Sequence, residues 1–76
     1  MDKQKFIEKF KEALEIENRE LSISDNFREY PEWDSLAFLS VIAMIDEEYD
    51  VIIKGDEFKT LKTLDDIAES ISKKKN

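Results

Sequence analysis

The run from Trp33 to Tyr49, WDSLAFLSVIAMIDEEY, constrains this chain more than any other stretch. It has no Gly or Pro and is rich in Leu, Ala, Ile and Met, so it predicts a helix. Asp34 is the natural N-cap, because its carboxylate can accept from an otherwise orphan amide of the first turn. Ser35 then falls on that first turn, at the positive end of the helix dipole. With roughly 100° between successive residues, Phe38, Ile42, Ile45 and Tyr49 share a face, with Val41 at its edge, and form the expected core stripe. Leu36, Leu39 and Ala43 lie nearly opposite, in line with Ser40 and Glu47. A chain of 76 residues cannot easily bury one helix on all sides. Part of the second stripe should therefore face water or a partner.

The remaining composition narrows the classes of function. The chain is short enough for one domain over residues 1–76, with 72–76 as a frayed tail that carries three consecutive lysines. There is no Cys, so no disulfide can supplement a modest core. Five Phe, two Tyr and one Trp supply bulk for it. The net charge of −7, from 19 acids against 12 bases, argues against nucleic-acid binding and suits partners with basic patches. Without His or Cys the commonest general base, thiol nucleophile and zinc ligands are all missing, so self-contained catalysis and a metal site are not expected. The longest apolar run, Leu36 to Ile45, is interrupted by Ser40 and is too short to span a bilayer. The N-terminal MDKQKFIEKFKEAL is charged and amphipathic, unlike a signal peptide, so a cytoplasmic monomer is expected.

Taken in order, Asp2 to Glu15 predicts an amphipathic helix with Phe6, Phe10 and Ala13 on its buried side and Ile7 and Leu14 beside them. Ile16 to Trp33 is a long connection with spaced anchors at Leu21, Ile23, Phe27, Tyr30 and Trp33. A loop of that length needs short turns or a function of its own. Pro31 keeps Tyr30 extended. Val51-Ile52-Ile53 is β-prone but has no partner strand, so it should lie extended against the central helix. Lys54-Gly55-Asp56 predicts a turn, and Asp56 to Thr60 a short helical turn that buries Phe58. Thr63 opens the last helix as N-cap, with Asp66 near the capping-box position and Leu64, Ile67, Ala68 and Ile71 as its buried stripe. The fold class is all-α: a small bundle of three main helices, one short helix and a long first loop.

An Asp-Ser-Leu tripeptide starts many helices and is weak alone. Its setting here is more specific: it lies near mid-chain after a long loop, opens a helix ending in Asp46-Glu47-Glu48-Tyr49, and precedes a Thr-Leu-Asp-Asp helix start. From Phe6 to Ile71 the chain resembles the acyl carrier protein family and the related carrier domains of polyketide and peptide assembly lines. That resemblance implies that Ser35 carries 4′-phosphopantetheine through a phosphodiester, installed from coenzyme A by a phosphopantetheinyl transferase. The arm's thiol would hold acyl groups as thioesters, which accounts for a chain without cysteine. A helix N-terminus is a favourable place for the phosphodiester. Asp34 would cap the helix and help the transferase hold its metal and substrate.

The resemblance further implies that Leu36, Leu39 and Ala43 form a docking face for acyl-loading and acyl-processing enzymes. Glu47 and Glu48 would add charge complementarity, and Phe38, Ile42, Ile45 and Ile67 would line a core able to receive an acyl chain. The chain departs from fatty-acid carriers in having Pro31-Glu32-Trp33 before the motif, where Gly is common, and uncharged Ala37, Phe38 and Ser40 after it, where acids are common. Its pathway, fatty-acid or specialised, stays open. The competing function is an acidic helical interaction module without a cofactor, using Leu36 and Leu39 as a ridge. Only the carrier requires a free hydroxyl at Ser35.

Overall fold

The computed structural model describes residues 1–75, so Asn76, the end of the expected tail, lies outside the described residues. Four α-helices follow one another: α1 (Lys3–Leu14), α2 (Ser35–Tyr49), α3 (Gly55–Phe58) and α4 (Leu64–Lys75), with a 3₁₀ turn at Phe27–Glu29 in the first loop. No strand occurs among the described residues; the one β-bridge, Asn26 with Thr63, is isolated. This is the expected bundle of three main helices and one short one.

Local chemistry accounts for the boundaries. The Asp2 carboxylate accepts from Lys5 N–H at 3.1 Å and starts α1. Glu15 ends it in the left-handed conformation, with φ 58°, while Ile16 N–H returns to the Lys11 carbonyl at 2.9 Å. The N-terminus of α4 is a reciprocal box: Asp66 N–H donates to Thr63 Oγ1 at 3.0 Å, and Thr63 N–H donates to Asp66 Oδ2 at 3.1 Å. Helical geometry continues through Ser72–Lys75, the stretch expected to fray.

The long first loop packs on the core as its spaced anchors required. Ile16, Leu21 and Phe27 are buried, and Ile23, Tyr30 and Trp33 pack against them. Its backbone is stitched to the start of α4: Phe27 N–H donates to Lys62 O (3.2 Å), Leu64 N–H to Asp25 O (3.1 Å) and Asp65 N–H to Ile23 O (2.8 Å). These bonds pair one loop amide and two loop carbonyls, and they also satisfy two first-turn amides of α4 that would otherwise lack a partner. Val51 and Ile53 are buried while Ile52 is 66% exposed, the alternation of an extended segment lying on the core.

One expectation is corrected in α2. Its buried face is Ala37, Val41, Met44 and Ile45, not Phe38, Ile42, Ile45 and Tyr49. Phe38, Ile42 and Tyr49 are only partly buried, at the edge of the core. The helix is turned by about one residue step from that expectation, and it packs chiefly against α1. The bulky side chains at Phe38 and Tyr49 instead fill the margins: Phe38 meets Phe58 of α3 and Tyr49 meets Phe6 of α1.

Candidate functional site

The start of α2 gathers the residues singled out by sequence. Asp34 Oδ1 accepts from Ala37 N–H at 2.8 Å, and Phe38 N–H closes the first turn on the Asp34 carbonyl at 2.9 Å. Those of Ser35 and Leu36 remain without a protein acceptor among the described residues. The Ser35 side chain is exposed, and its hydroxyl makes no hydrogen bond with them. An exposed, unengaged hydroxyl next to free helix amides fits a covalently attached phosphodiester: it is accessible to an attacking enzyme, and an anion there meets N–H groups and the positive dipole end.

The chain is led into this site by a braced loop. Arg19 grips Glu32 through two bonds, Nη1 to Oε2 at 2.6 Å and Nη2 to Oε1 at 2.8 Å. The guanidinium holds the Glu32 carboxyl down to about 2, well below the usual range. The same guanidinium lies over the Tyr30 ring at 5.3 Å, and Tyr30 donates to Asp25 Oδ2 at 2.8 Å. Trp33 then stacks in parallel between Phe10 (6.2 Å) and Phe58 (5.9 Å) and meets Phe27 edge-on at 4.7 Å. The residue just before Asp34 is thus fixed by the core, and the orientation of the Asp-Ser turn with it.

Two grooves flank Ser35. One, of about 330 Å³, lies between α2 and α3 and is lined by Arg28, Trp33, Asp34, Ser35, Phe38, Gly55, Phe58 and Lys59. The other lies on the α1 side, beside Glu15, Glu32, Asp34, Leu36 and Leu39. Leu36 and Leu39 are 74% and 59% exposed, and Ala43 and Glu47 are exposed along the same side of α2. Glu48 is exposed too but lies 3.7 Å from Lys9 of α1, so part of its charge is answered within the chain. Of the four residues expected around an acyl chain, Ile45 and Ile67 are wholly buried, whereas Phe38 and Ile42 sit at the core's edge.

Sequence reasoning missed Arg28 and Lys59, brought beside Ser35 by the 3₁₀ turn and by α3, and it treated Trp33 and Phe58 only as anchors. The adjacency of Trp33 to the motif was the available signal. Arg28 carried none, since its position depends on bonds to the Phe58 and Leu61 carbonyls across the fold (2.8 and 2.9 Å).

Comparison with known proteins agrees with this geometry. The family described as "Phosphopantetheine attachment site" matches residues 4–71. The fold is similar to that of the holo acyl carrier protein from Geobacter metallireducens, determined in solution by NMR, with a TM-score of 0.80 and 21% identity over 95% of this chain and 83% of that one. No curated protein matches the chain.

Proposed function

This chain belongs to the phosphopantetheine attachment-site family, the acyl carrier proteins, and on that premise we propose that Ser35 is its point of attachment. It is a carrier and not a catalyst, and its prosthetic group is covalently bound 4′-phosphopantetheine. That group supplies the thiol on which acyl groups travel as thioesters. The observation carrying the assignment to Ser35 is its exposed hydroxyl, unengaged at the capped N-terminus of α2. In loading, Ser35 Oγ loses its proton and bonds to phosphorus of coenzyme A, while the nucleotide half of coenzyme A leaves. Asp34 fixes the turn that presents the hydroxyl, and its second carboxylate oxygen is available to the transferase.

Leu36, Leu39 and Ala43, with Glu47, form the docking face in this reading, supported by their common exposure along α2. Glu48 contributes less because Lys9 answers it. The delivered acyl groups belong to fatty-acid or specialised, polyketide-type synthesis. Uncharged Ala37, Phe38 and Ser40 around the attachment point favour the specialised branch, because they leave partners fewer charges to recognise there.

Intact-mass measurement after incubation with coenzyme A and a promiscuous phosphopantetheinyl transferase tests the assignment. One arm per chain is expected on the native protein and none on Ser35→Ala. Since the Ser35 hydroxyl contributes no bond to the fold, the variant should melt with the native chain. Continued labelling of Ser35→Ala would refute the site.

A further inference from the structure

The groove between α2 and α3 has a closed aromatic floor. Trp33 and Phe58 stack at 5.9 Å with their planes 8° apart, and Phe38 meets Phe58 edge-on at 5.1 Å and 74°. Phe27 meets both Trp33 (4.7 Å) and Phe58 (5.6 Å) in edge-to-face geometry. Phe27 is fully buried and Phe58 is 1% exposed. Arg28 secures this layer from the side: its guanidinium lies 5.1 Å from the Phe27 centroid and 5.9 Å from that of Phe58, while it bonds the Phe58 and Leu61 carbonyls. Trp33, Phe38 and Phe58 line the groove beside Ser35, while Ile45 and Ile67 are wholly buried, so a chain leaving Ser35 by this groove meets the ring layer first.

We propose that Trp33, Phe38 and Phe58 bar the acyl chain from the core, so that this carrier is built for short or polar acyl groups held in the groove or in water. The inference rests on Ser35 being the attachment point. Each methylene left outside an apolar enclosure adds to the cost of carriage in water, so a carrier with a sealed floor suits cargo with few of them. Hydroxylated acyl groups lose little by staying outside, and Arg28 and Lys59 give the groove a polar side. Interlocked rings yield to an entering chain only by moving side chains, which close packing makes costly.

The test loads the native chain from acetyl-, octanoyl- and dodecanoyl-coenzyme A, with intact mass establishing one acylated arm per molecule. Methyl NMR signals of Ile45 and Ile67, wholly buried in the core, should then be the same in all three forms. In Phe38→Ala, whose own spectrum reports folding, the dodecanoyl form should diverge from the acetyl form at these methyls; Phe38→Leu serves if the alanine variant does not fold. Native signals that move with chain length would overturn the closed floor, as would a folded variant whose signals ignore it. Failure of the native chain to gain mass would overturn the attachment reading instead, so the two failures remain distinct.

Discussion

At the scale of single residues, the motif divides its labour. Asp34 holds structure and Ser35 holds none, because the Asp34 carboxylate caps Ala37 N–H at 2.8 Å while the Ser35 hydroxyl is exposed. Removing a cap of this kind costs about 1 kcal/mol. In a domain of this size that lowers the melting temperature by roughly 4–8 °C. Asp34→Ala should show that loss in a thermal melt and should also be modified more slowly, since the turn that presents Ser35 frays. An Asp34→Ala protein that melts with the native chain would mean that another group caps α2. The N-cap and the free hydroxyl were legible in the sequence because they depend only on neighbours along the chain. The ring stack around Trp33 was not, because Phe10, Phe27 and Phe58 arrive from three separate segments.

At the scale of elements, helix identities were legible from periodicity and helix rotation was not. The face α2 buries is set by what packs on it; helical spacing gathers Phe38, Ile42, Ile45 and Tyr49 into one stripe but does not say that the side of Ala37 and Met44 turns inward. The exposed stripe was less sensitive to that error: Leu36 and Leu39 lie far enough round to stay in solvent. Leu39→Asp should therefore change stability by no more than about 0.5 kcal/mol, as surface substitutions do. It should nevertheless slow loading or acyl transfer several-fold; a collapse of the melting temperature would place Leu39 in the core. Helix ends offer a second prediction. Glu15 and Asp50 both adopt left-handed conformations, with φ 58° and 56°, where glycine is the unstrained choice. Both also set a negative charge at the negative end of a helix dipole. Glu15→Gly and Asp50→Gly should each stabilise the protein by roughly 0.5–1 kcal/mol, measured by denaturant unfolding. Equal or lower stability in both would show that flexibility gained by the unfolded chain outweighs the strain removed.

At the scale of the whole molecule, charge is the dominant long-range term. Nineteen acids meet twelve bases, and among the described residues the ion pairs engage Asp65, Glu69, Glu48, Glu20, Glu32 and Glu57. The acids at the end of α2, Asp46, Glu47 and Asp50, have no such partner among the described residues, and no basic residue stands in that helix's last turn. Self-repulsion should thus oppose compaction at neutral pH, and added sodium chloride should raise the melting temperature as the screening length falls from about 10 Å at 0.1 M to about 3 Å at 1 M. Mild acidification acts in the same direction by lowering the net charge, but its reach is limited. Arg19 depresses the Glu32 carboxyl, Lys74 and then Ser70 depress that of Glu57, and the Lys62 and Thr63 amides depress that of Asp66. A carboxyl depressed by folding contributes stability that is present above its unfolded value, near 4.5 for glutamate and 3.8 for aspartate, and is lost as pH falls through its folded value. The alkaline side has the opposite sign. Burial and then Asp25 raise the Tyr30 hydroxyl, and the bonds that the Lys3 ammonium donates to Asp65 and Glu69 raise that ammonium. Their contributions are whole below the unfolded values of 10.0 and 10.5 and are lost as pH climbs through the folded ones. The melting temperature should therefore rise gently from neutral pH to about 5, fall from about 4.5 toward 2, and fall again above about 10. Melts across that range at low and high salt check it. A midpoint at neutral pH that salt leaves unchanged would mean that the lysines of α1 and of the C-terminal end of α4 already balance the acids. The exposed charge at the end of α2 would then be spoken for within the fold, and docking would rest on Leu36 and Leu39.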